Sequence, residues 1–383
     1  MGTGIAELTR NAVDLLPQGG LEQKLGTGRP LRVKLGIDPT GSDIHLGFAV
    51  VLRRLRAFQD AGHVAVLIVG DYTARIGDPS GRSKERQVLP DEVLDRNAKL
   101  FAEQAYRILD PDRTEIRFNG EWLGKLDYAE LVRLTRTGTV ARLLERNDFR
   151  ERFASNAPIS VSELLYPFAQ GYDSVAVEAD IEVGGTDQLY NLLMGRDVME
   201  HYGLEPQAVI TYELLVGTDG VEKMSKSVGN YVGIDESPEE QFGKVMSIPD
   251  SALDQWWRLC LDATARETEP MRSKLALAQG IVERYHGAAA AEAAAAHFTR
   301  VVRERQAPED VPEVALPADD PVHLPAMLAQ WFGISTSEAR RLIAQGGVRV
   351  DGGLVGELDV PRTSLGGALI QAGKRRFVRV ASI

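Results

Sequence analysis

The sequence predicts an α/β protein whose first part is built on a parallel sheet, followed by an all-helical region and a small α+β module. Residues 31–37 alternate like a short strand, a helical pattern follows, and residues 63–70 form a second, β-branched strand pattern. Strand, helix and strand in this order predict a right-handed parallel unit. Residues 237–305 show only helical patterns, and short strand patterns return near the C-terminus.

Composition indicates a globular protein rather than a secreted or membrane one. The 383 residues are 44% apolar and 26% charged, with a net charge of −11. A single cysteine, Cys260, excludes an internal disulfide framework and a cysteine-rich zinc site. We find neither a signal-peptide pattern nor an apolar stretch of membrane-spanning length, so we expect a cytoplasmic enzyme. The acidic balance still allows a local basic patch to bind nucleic acid.

The first strand–helix unit contains a polar turn that could hold an anion. Pro39 and Gly41 break the strand, Ser42 and Asp43 are good helix caps, and His45 begins the helical pattern. Backbone N–H groups and the helix dipole favour a phosphate at such a helix start, with His45 as a further donor. These residues alone are weak evidence for a phosphate site, because most strand–turn–helix units of this kind are ordinary first βα units.

A polar loop follows the second strand, where open α/β sheets bind ligands. In it, Asp78 could bind an ammonium group, and Arg82, Lys84 and Arg86 would suit a polyphosphate. A solvated charged loop would look the same.

The residues from 162 to 188 predict the wall of a pocket. Tyr166, Gln170 and Asp173 share one helix face at i, i+4 and i+7, which is either a solvated face or a pocket lining. Residues 176–183 are predicted to form a strand that ends in a double glycine. Asp187, just after it, could accept the hydroxyl pair of a ribose.

Two cationic segments complete the chain. After a strand predicted at 209–216, Lys223 and Lys226 bracket Met224-Ser225 in a glycine-flanked loop that could close over a triphosphate. Residues 307–322 are predicted to form an extended acidic linker. Residues 335–338, STSE, match a capping-box pattern and predict Ser335 as the cap of a helix over 339–345. From residue 323 onward, the sequence contains eight basic and four acidic residues. The resulting net charge of +4 predicts that this tail is a module that binds RNA.

Several of these motifs together resemble one enzyme family. Residues 223–227, KMSKS, match the signature loop of class I aminoacyl-tRNA synthetases, and residues 45–48, HLGF, resemble their HIGH motif with the last position changed. Residues 78–81, 166–170, 172–173 and 184–188 look like the tyrosyl-tRNA synthetase pattern, and the tail looks like an S4-type RNA-binding domain. The resemblance runs from residue 31 to the C-terminus.

The resemblance implies a domain order. Residues 1–228 would form a Rossmann-type catalytic domain with a dimerisation insertion at about 113–150, and 229–306 a helical anticodon-binding-type domain. Residues 307–322 would be a linker, and 323–383 an S4-like RNA-binding domain. The protein would activate L-tyrosine with ATP and transfer it to the 3′ end of tRNA(Tyr).

The resemblance also implies a role for each site residue. The catalytic set around the triphosphate would be Thr40, His45, Arg82, Arg86, Lys223 and Lys226. ATP would be bound by His45, Gly47, Asp187, Lys223, Met224, Ser225, Lys226 and Ser227. Tyrosine would be bound by Lys34, Asp38, Asp78, Tyr166, Gln170, Asp173 and Gln188. RNA would be bound by Arg340, Arg341, Arg349, Lys374, Arg375 and Arg376. Mg²⁺ would accompany ATP, with no tightly bound cofactor and no metal site in the protein, and the enzyme would be a homodimer through the region 127–144.

Two positions depart from the family pattern. Lys34 stands where many members have a tyrosine that contacts the substrate hydroxyl, and Phe48 replaces the final histidine of HIGH. Phe48 motivates one alternative, a paralogue with an altered substrate, inhibitor resistance or another acceptor. A second alternative is a non-catalytic RNA-binding relative, which would not need the full set of site residues.

Overall fold

The structure is a computed structural model that describes residues 4–41, 43–80, 89–265, 267–300, 311–373 and 376–382. The predicted site residues Arg82, Arg86, Lys374 and Arg375 lie outside these ranges, as does the predicted helix cap Ser42. The chain forms two compact units, Met1–Ile281 and Val282–Ile383. Within the described ranges, no helix combines the length and the apolar character that crossing a membrane requires.

The first unit is built on a six-stranded sheet. Its strands are β1 (Ala12–Leu16), β2 (Arg32–Ile37), β3 (Val64–Val69), β4 (Thr114–Phe118), β5 (Ile181–Gly185) and β6 (Ala208–Tyr212). In space they follow the order β1-β6-β5-β2-β3-β4, and all neighbours are parallel except β1, which is antiparallel to β6. The parallel sheet predicted from the sequence is therefore confirmed, with an edge strand, β1, that was not predicted.

The helices of the first unit precede, connect and follow these strands. They are α1 (Ile5–Leu8), α2 (Gly20–Gly26), α3 (Leu46–Asp60), α4 (Thr73–Ile76), α5 (Asp91–Ala105), α6 (Gly120–Leu123), α7 (Tyr128–Thr135), α8 (Val140–Leu143), α9 (Asn147–Ala154), α10 (Val161–Ala176), α11 (Leu189–His201), α12 (Pro238–Met246) and α13 (Leu253–Leu261). Helix α14 (Pro270–His286) begins in the first unit and ends in the second. The cap of α3 is His45, not the predicted Ser42 or Asp43.

The strand predicted at 176–183 is wrong in its first half. Helix α10 continues to Ala176, Glu178 then adopts a left-handed φ of 47°, and β5 begins only at Ile181. Val177 and Ala179 are buried in a cluster with residues of β3. The apolar pattern there therefore reflects packing of a helix end, which a short apolar run does not distinguish from a strand.

The predicted division at residue 228 does not separate compact units, because residues 229–281 pack with the sheet. Arg54 of α3 binds both carboxylate oxygens of Asp262, which follows α13, at 2.8 and 2.9 Å. Trp256 and Cys260 of α13 are buried. The helical region thus begins as an extension of the sheet unit.

The second unit contains α15 (Ala288–Phe298), α16 (Leu324–Phe332) and α17 (Thr336–Ala344). Its strands are β7 (Glu313–Val314), β8 (Val322–His323), β9 (Val348–Val350), β10 (Gly353–Leu354), β11 (Asp359–Val360), β12 (Leu369–Ala372) and β13 (Arg376–Val380). They form a five-stranded sheet, β10-β9-β12-β13-β7, and a two-stranded one, β11-β8.

Part of the predicted linker 307–322 belongs to this second unit. Strand β7 pairs in parallel with β13, and Val314 and Leu316 pack on the core of the unit. The extended-linker prediction is therefore wrong for this segment, because its two strand residues complete a sheet edge. The cap predicted at Ser335 is confirmed: its Oγ accepts a hydrogen bond from the Glu338 N–H at 3.1 Å.

Candidate active site

A cavity of about 530 Å³ opens at the carboxyl ends of β2, β3 and β5. Open α/β sheets bind ligands at this edge. It is lined by all the described residues predicted for tyrosine and ATP except Lys34, namely Asp38, Thr40, His45, Gly47, Asp78, Tyr166, Gln170, Asp173, Asp187, Gln188, Lys223, Met224, Ser225, Lys226 and Ser227. The structure thus brings together side chains that are almost 190 residues apart in sequence.

We call the part of the cavity formed by Asp38, Asp78, Tyr166, Gln170, Asp173 and Gln188 the buried end. At its base, the Asp173 carboxylate accepts hydrogen bonds from Trp122 Nε1 at 2.8 Å and Asn119 Nδ2 at 3.3 Å. Burial raises the pKa of Asp173 to about 7, although the Lys34 charge and these two donors favour the ionised form. Asp173 is therefore a buried hydrogen-bond acceptor whose ionised form is only partly stabilised by these neighbours.

A second carboxylate is fixed beside it. Asp38, just after β2, accepts hydrogen bonds from the Tyr166 hydroxyl at 2.9 Å and from Thr73 Oγ1 at 2.7 Å. Asn119 Nδ2 also donates to Thr73 Oγ1 at 3.0 Å, so one chain of hydrogen bonds connects Asp38 with Asp173. A Cβ at Gly70 would lie 2.1 Å from the Asp38 carboxylate, so only glycine leaves room for this arrangement.

Asp78 and Gln188 close the buried end. Gln188 Nε2 donates to Asp78 Oδ2 at 2.9 Å, and Asp78 Oδ1 accepts from the Ser80 N–H at 2.9 Å. These contacts hold the Asp78 carboxylate at the cavity wall. Together with Gln170, it provides charge and hydrogen-bond acceptors of the kind that bind an ammonium group.

We call the part formed by Thr40, His45, Gly47, Asp187 and residues 223–227 the open end. Lys223 Nζ lies 2.7 Å from Asp187 Oδ2, and Lys226 forms an ion pair with Asp43. The Lys226 side chain passes over the turn at Gly41, where a Cβ would lie 2.6 Å from its Cδ. Two cations therefore reach the cavity on flexible side chains, each paired with a carboxylate.

His45 is the buried group at the open end. Burial and the charges of Lys226 and Lys223 lower its pKa to about 3, so the imidazole is neutral at physiological pH. Its Nδ1 has no hydrogen-bond partner among the described residues. The ring stacks on Phe48, with centroids 4.2 Å apart and planes 22° apart, and Phe48 meets Phe101 edge-on at 5.7 Å.

The prediction that Lys34 contacts the substrate is wrong in this structure, because Lys34 is absent from the described lining of the cavity. Its Nζ donates to Glu182 Oε1 at 2.8 Å, Ser174 Oγ at 2.9 Å and the Gln170 carbonyl at 3.0 Å. An ammonium group has three donors, so none remains for a ligand. Lys34 lies behind the cavity wall.

Sequence reasoning missed three polar residues at the buried end, Thr73, Asn119 and Trp122. Thr73 follows β3, and Asn119 follows β4 directly. Carboxyl ends of parallel strands meet at one edge, so their position was a usable signal. For Trp122 no such signal exists, because its role depends on the path of the short helix α6.

In the second unit, Arg340, Arg341 and Arg376 are exposed, and Arg349 donates to the Gly352 carbonyl at 2.9 Å. Arg376 Nη1 lies 3.5 Å from Glu338 Oε1, which brings β13 and α17 side by side. The described arginines thus present charge to solvent.

In the first unit, the region predicted for dimerisation exposes large apolar side chains. Within this region Tyr128 is 82% exposed, and Val132 and Val140 are also exposed; Phe153, 64% exposed, and Val161 lie just after it in sequence.

Comparison with known proteins places the chain among synthetases. Residues 26–303 match the family of class I tRNA synthetases (W and Y), and residues 324–358 match the S4 domain. The tyrosine–tRNA ligases of Thermotoga maritima and Geobacter sulfurreducens are both 46% identical to it, over 98% of this chain and 96% and 98% of the relatives. A solved tyrosyl-tRNA synthetase from Archaeoglobus fulgidus, complexed with L-tyrosine, is 21% identical with a TM-score of 0.63, covering 75% of this chain and 98% of that one.

Proposed function

This chain belongs to the class I tRNA synthetases, with tyrosine–tRNA ligases as its full-length relatives, and we propose that the cavity described above is its active site. The protein activates L-tyrosine with ATP, which yields tyrosyl-adenylate and pyrophosphate. It then transfers the tyrosyl group to the 3′ end of tRNA(Tyr).

The site assignment depends on one observation: a single cavity has a buried end with carboxylate acceptors and an open end with two lysines. The buried end suits tyrosine: Asp173 accepts from the phenol hydroxyl, while Asp78, Tyr166 and Gln170 receive the ammonium group. A buried carboxylate left unpaired is costly, so phenylalanine would be strongly rejected. Asp38 and Gln188 hold Tyr166 and Asp78 in position.

The open end suits ATP. Lys223 and Lys226 exchange their carboxylate partners for phosphate oxygens, and the neutral His45 donates to a phosphate. The catalytic set is completed by Thr40 and by Arg82 and Arg86, two residues on which the structure gives no information. Once Lys223 has left it, the Asp187 carboxylate accepts hydrogen bonds from the ribose hydroxyls. Gly47 adjoins His45, since a Cβ there would lie 3.0 Å from the imidazole.

The reaction at this site needs no nucleophile from the protein. A tyrosine carboxylate oxygen attacks the α-phosphorus of ATP, the bond to the bridging oxygen breaks, and pyrophosphate leaves. The protein holds the reactants in line and places positive charge where negative charge develops. Residues 223–227 carry both lysines to that position.

Mg²⁺ enters as part of the substrate MgATP. No group of three or more His, Cys, Asp or Glu suited to a metal is found in the described part of the chain. Mg²⁺ commonly keeps several waters and binds substrate phosphates, so we assign its ligands to ATP and water.

In the second step, a ribose hydroxyl of the tRNA attacks the carbonyl of tyrosyl-adenylate and AMP leaves. The S4 domain and the helices from 229 onward would hold the tRNA. The exposed Arg340, Arg341 and Arg376, with Arg349, are suited to phosphate contacts, which supply most of the salt-dependent affinity for RNA. Lys374 and Arg375 belong to the same predicted set but are not described structurally.

The exposed apolar side chains of Tyr128, Val132 and Val140 support a homodimer that is formed through the region 113–150. An apolar patch of this kind marks an interaction surface. We propose that this dimer works in the cytoplasm, where charged tRNA is used.

Phe48 gives little support to a paralogue with another substrate. Its ring stacks on His45, so the replacement of the final HIGH histidine has a structural role in the tyrosine reaction. The non-catalytic alternative is disfavoured by the complete set of described lining residues.

Tyrosine-dependent exchange of pyrophosphate into ATP, followed by charging of tRNA(Tyr), tests the proposal. We expect exchange with L-tyrosine and not with L-phenylalanine, and then charging. Exchange without charging would point to another acceptor. Absence of exchange with tyrosine would refute the site assignment.

A further inference from the structure

We propose that Lys34 is a positioning residue for tyrosine specificity. Its buried ion pair with Glu182 fixes the turn of α10 that carries Gln170 and Asp173 and favours the ionised form of Asp173, which accepts the substrate hydroxyl. This inference rests on the proposed function and adds to it a residue that lies outside the cavity lining.

The ion pair is set by the sheet. Lys34 on β2 and Glu182 on β5 are register partners in neighbouring parallel strands, so their side chains leave the same face of the sheet. Both side chains are fully enclosed, with 0% and 1% exposure, and Nζ to Oε1 is 2.8 Å. A charge pair buried to this degree keeps its strength because water does not screen it.

The pair is attached to α10 at two points one turn apart. Lys34 Nζ donates to the Gln170 carbonyl and to Ser174 Oγ, and Ser174 Oγ donates to Glu182 Oε2 at 3.0 Å. Gln170 and Ser174 flank Asp173 along the helix. The same network that holds the two strands therefore also fixes the position of the Asp173 side chain.

Helix α11 leaves space for this network. Gln207 Nε2 donates to Glu182 Oε2 at 2.8 Å. A Cβ at Gly195 would lie 2.6 Å from Gln207 Nε2 and 3.1 Å from Glu182 Oε2. The network is thus enclosed from the sheet, from α10 and from α11.

Desolvation raises the pKa of Asp173, and the positive charge of Lys34 partly offsets that effect. Trp122 and Asn119 donate to the carboxylate from beyond β4, and Asp38 connects to it through Thr73 and Asn119. The Lys34 charge lowers the pKa of Asp173, while the Glu182 charge, a smaller effect, raises it. Because that pKa is about 7, a change at either partner alters the ionised fraction at neutral pH.

Stability alone does not account for the pair. Replacing a buried ion pair by apolar residues is often neutral or stabilising, because the desolvation of two charges offsets their attraction. A role in setting the charge of Asp173 makes a different prediction, which concerns pH and not stability.

The test uses the full-length protein and follows kcat/KM for tyrosine in pyrophosphate exchange from pH 5.5 to 8.5. In the wild type we expect kcat/KM to rise with pH through a midpoint near the pKa of Asp173, because kcat/KM reports groups of the free enzyme. Glu182→Gln removes the opposing negative charge, so the midpoint moves to lower pH. Its amide oxygen can still accept from Lys34 Nζ, and Gln207 can turn its Oε1, which is unpaired among the described residues, towards the new amide N–H. The double variant Lys34→Met/Glu182→Gln removes the larger, favourable charge, so the midpoint moves up by about one pH unit.

Glu163→Gln is the matched control. Glu163 also lies on α10 in a buried pair, 2.7 Å from Arg152, but it is not among the described lining residues. It should leave the midpoint unchanged. Opposite shifts in the two test variants, with KM for ATP unaltered, would support the inference.

Midpoints that stay at the wild-type value, or that move in the same direction in both variants, would overturn it. Wild-type protein without tyrosine-dependent exchange would instead refute the proposed function, so the two failures are distinguishable. If one test variant did not fold, the direction of the shift in the other variant would decide the question. Lys34→Arg keeps the charge and then serves as a second control whose midpoint should not move.

Discussion

At the buried end of the cavity, Asp173 is 2% exposed and its hydrogen-bond donors come from fixed elements, whereas at the open end the side chain of Lys223 is 43% exposed. Asp173 accepts from Trp122 and Asn119 within the fold. Lys223 and Lys226 instead occupy ion pairs with Asp187 and Asp43 that a phosphate can replace. One end is assembled before substrate arrives, and the other must change its partners.

This difference assigns different work to the two ends. A preorganised, buried acceptor discriminates between substrates, because an unpaired buried group is costly. Cations on long side chains bind a polyphosphate and stabilise charge as the reaction proceeds. We therefore expect variants of the buried end to alter tyrosine binding and variants of the open end to alter the rate of activation.

The largest effect should come from Lys223→Ala. Loss of a cation aimed at the reacting phosphates should lower kcat of pyrophosphate exchange by about 10²- to 10³-fold, with KM for tyrosine nearly constant. Lys244→Ala is the control, since Lys244 pairs with Glu236 outside the described lining. A comparable rise in KM for tyrosine would show that the two ends do not act separately.

Asp173→Asn should have the next largest effect. Replacing the charged acceptor should reduce kcat/KM for tyrosine by about 100-fold and lower the preference over phenylalanine. Asp180→Asn makes the same change at a buried carboxylate away from the described lining and should preserve the preference. If tyrosine and phenylalanine lost activity equally in Asp173→Asn, the hydroxyl contact would be assigned to the wrong residue.

A third test concerns the desolvated histidine of the open end. Because the pKa of His45 is lowered to about 3, the stability it contributes is present above pH 6.5 and is lost as pH falls from 6.5 towards 3. When the pH falls from 7 to 5, the free energy of unfolding should decrease in both proteins. The decrease should be about 2 kcal/mol smaller in His45→Asn than in the wild type. Urea unfolding at both pH values measures this.

His63→Asn serves as the comparison for that test, because the pKa of the half-buried His63 is also lowered by burial. Its change should have the same sign and be smaller. Equal pH dependence in wild type and His45→Asn would mean that the open end is hydrated in solution.

The smallest effect is expected from Phe48→Leu. Without the stacked ring, His45 loses its fixed orientation, and kcat of exchange should fall about tenfold with little change in KM for tyrosine. Phe48→Tyr should restore most of the rate. Phe58→Leu, a buried substitution on the same helix, controls for packing loss. Full activity in Phe48→Leu would show that the stack does not matter.

Much of the cavity could be predicted from the sequence because its residues lie at strand ends and on one helix face. At these places the periodicity of the element determines the side to which a side chain points. Tyr166, Gln170 and Asp173 were found in this way. The resemblance placed Lys34 at the tyrosine site, but Lys34 lies behind the cavity wall. The alternation of a strand buried on both faces does not say which face meets the cavity, so the sequence could not correct this prediction. The end of α10 was misjudged for a related reason, since apolar residues pack there in a helix as they would in a strand.

The second unit shows the same limit for boundaries. The composition of residues 307–322 indicates a linker, yet Glu313 and Val314 complete the edge of a sheet. Two residues are too few for a period to appear, and only pairing with β13 reveals the strand. The cap at Ser335, by contrast, depends on local chemistry and was predicted correctly.

The most direct test of the two-ended account is the rate of tyrosyl-adenylate formation in wild type, Asp173→Asn, Lys223→Ala and the double variant. If the ends act separately, their losses in transition-state free energy add to within about 0.5 kcal/mol in the double variant. A double variant no slower than the worse single variant would contradict the account, because the two ends would then function as one unit.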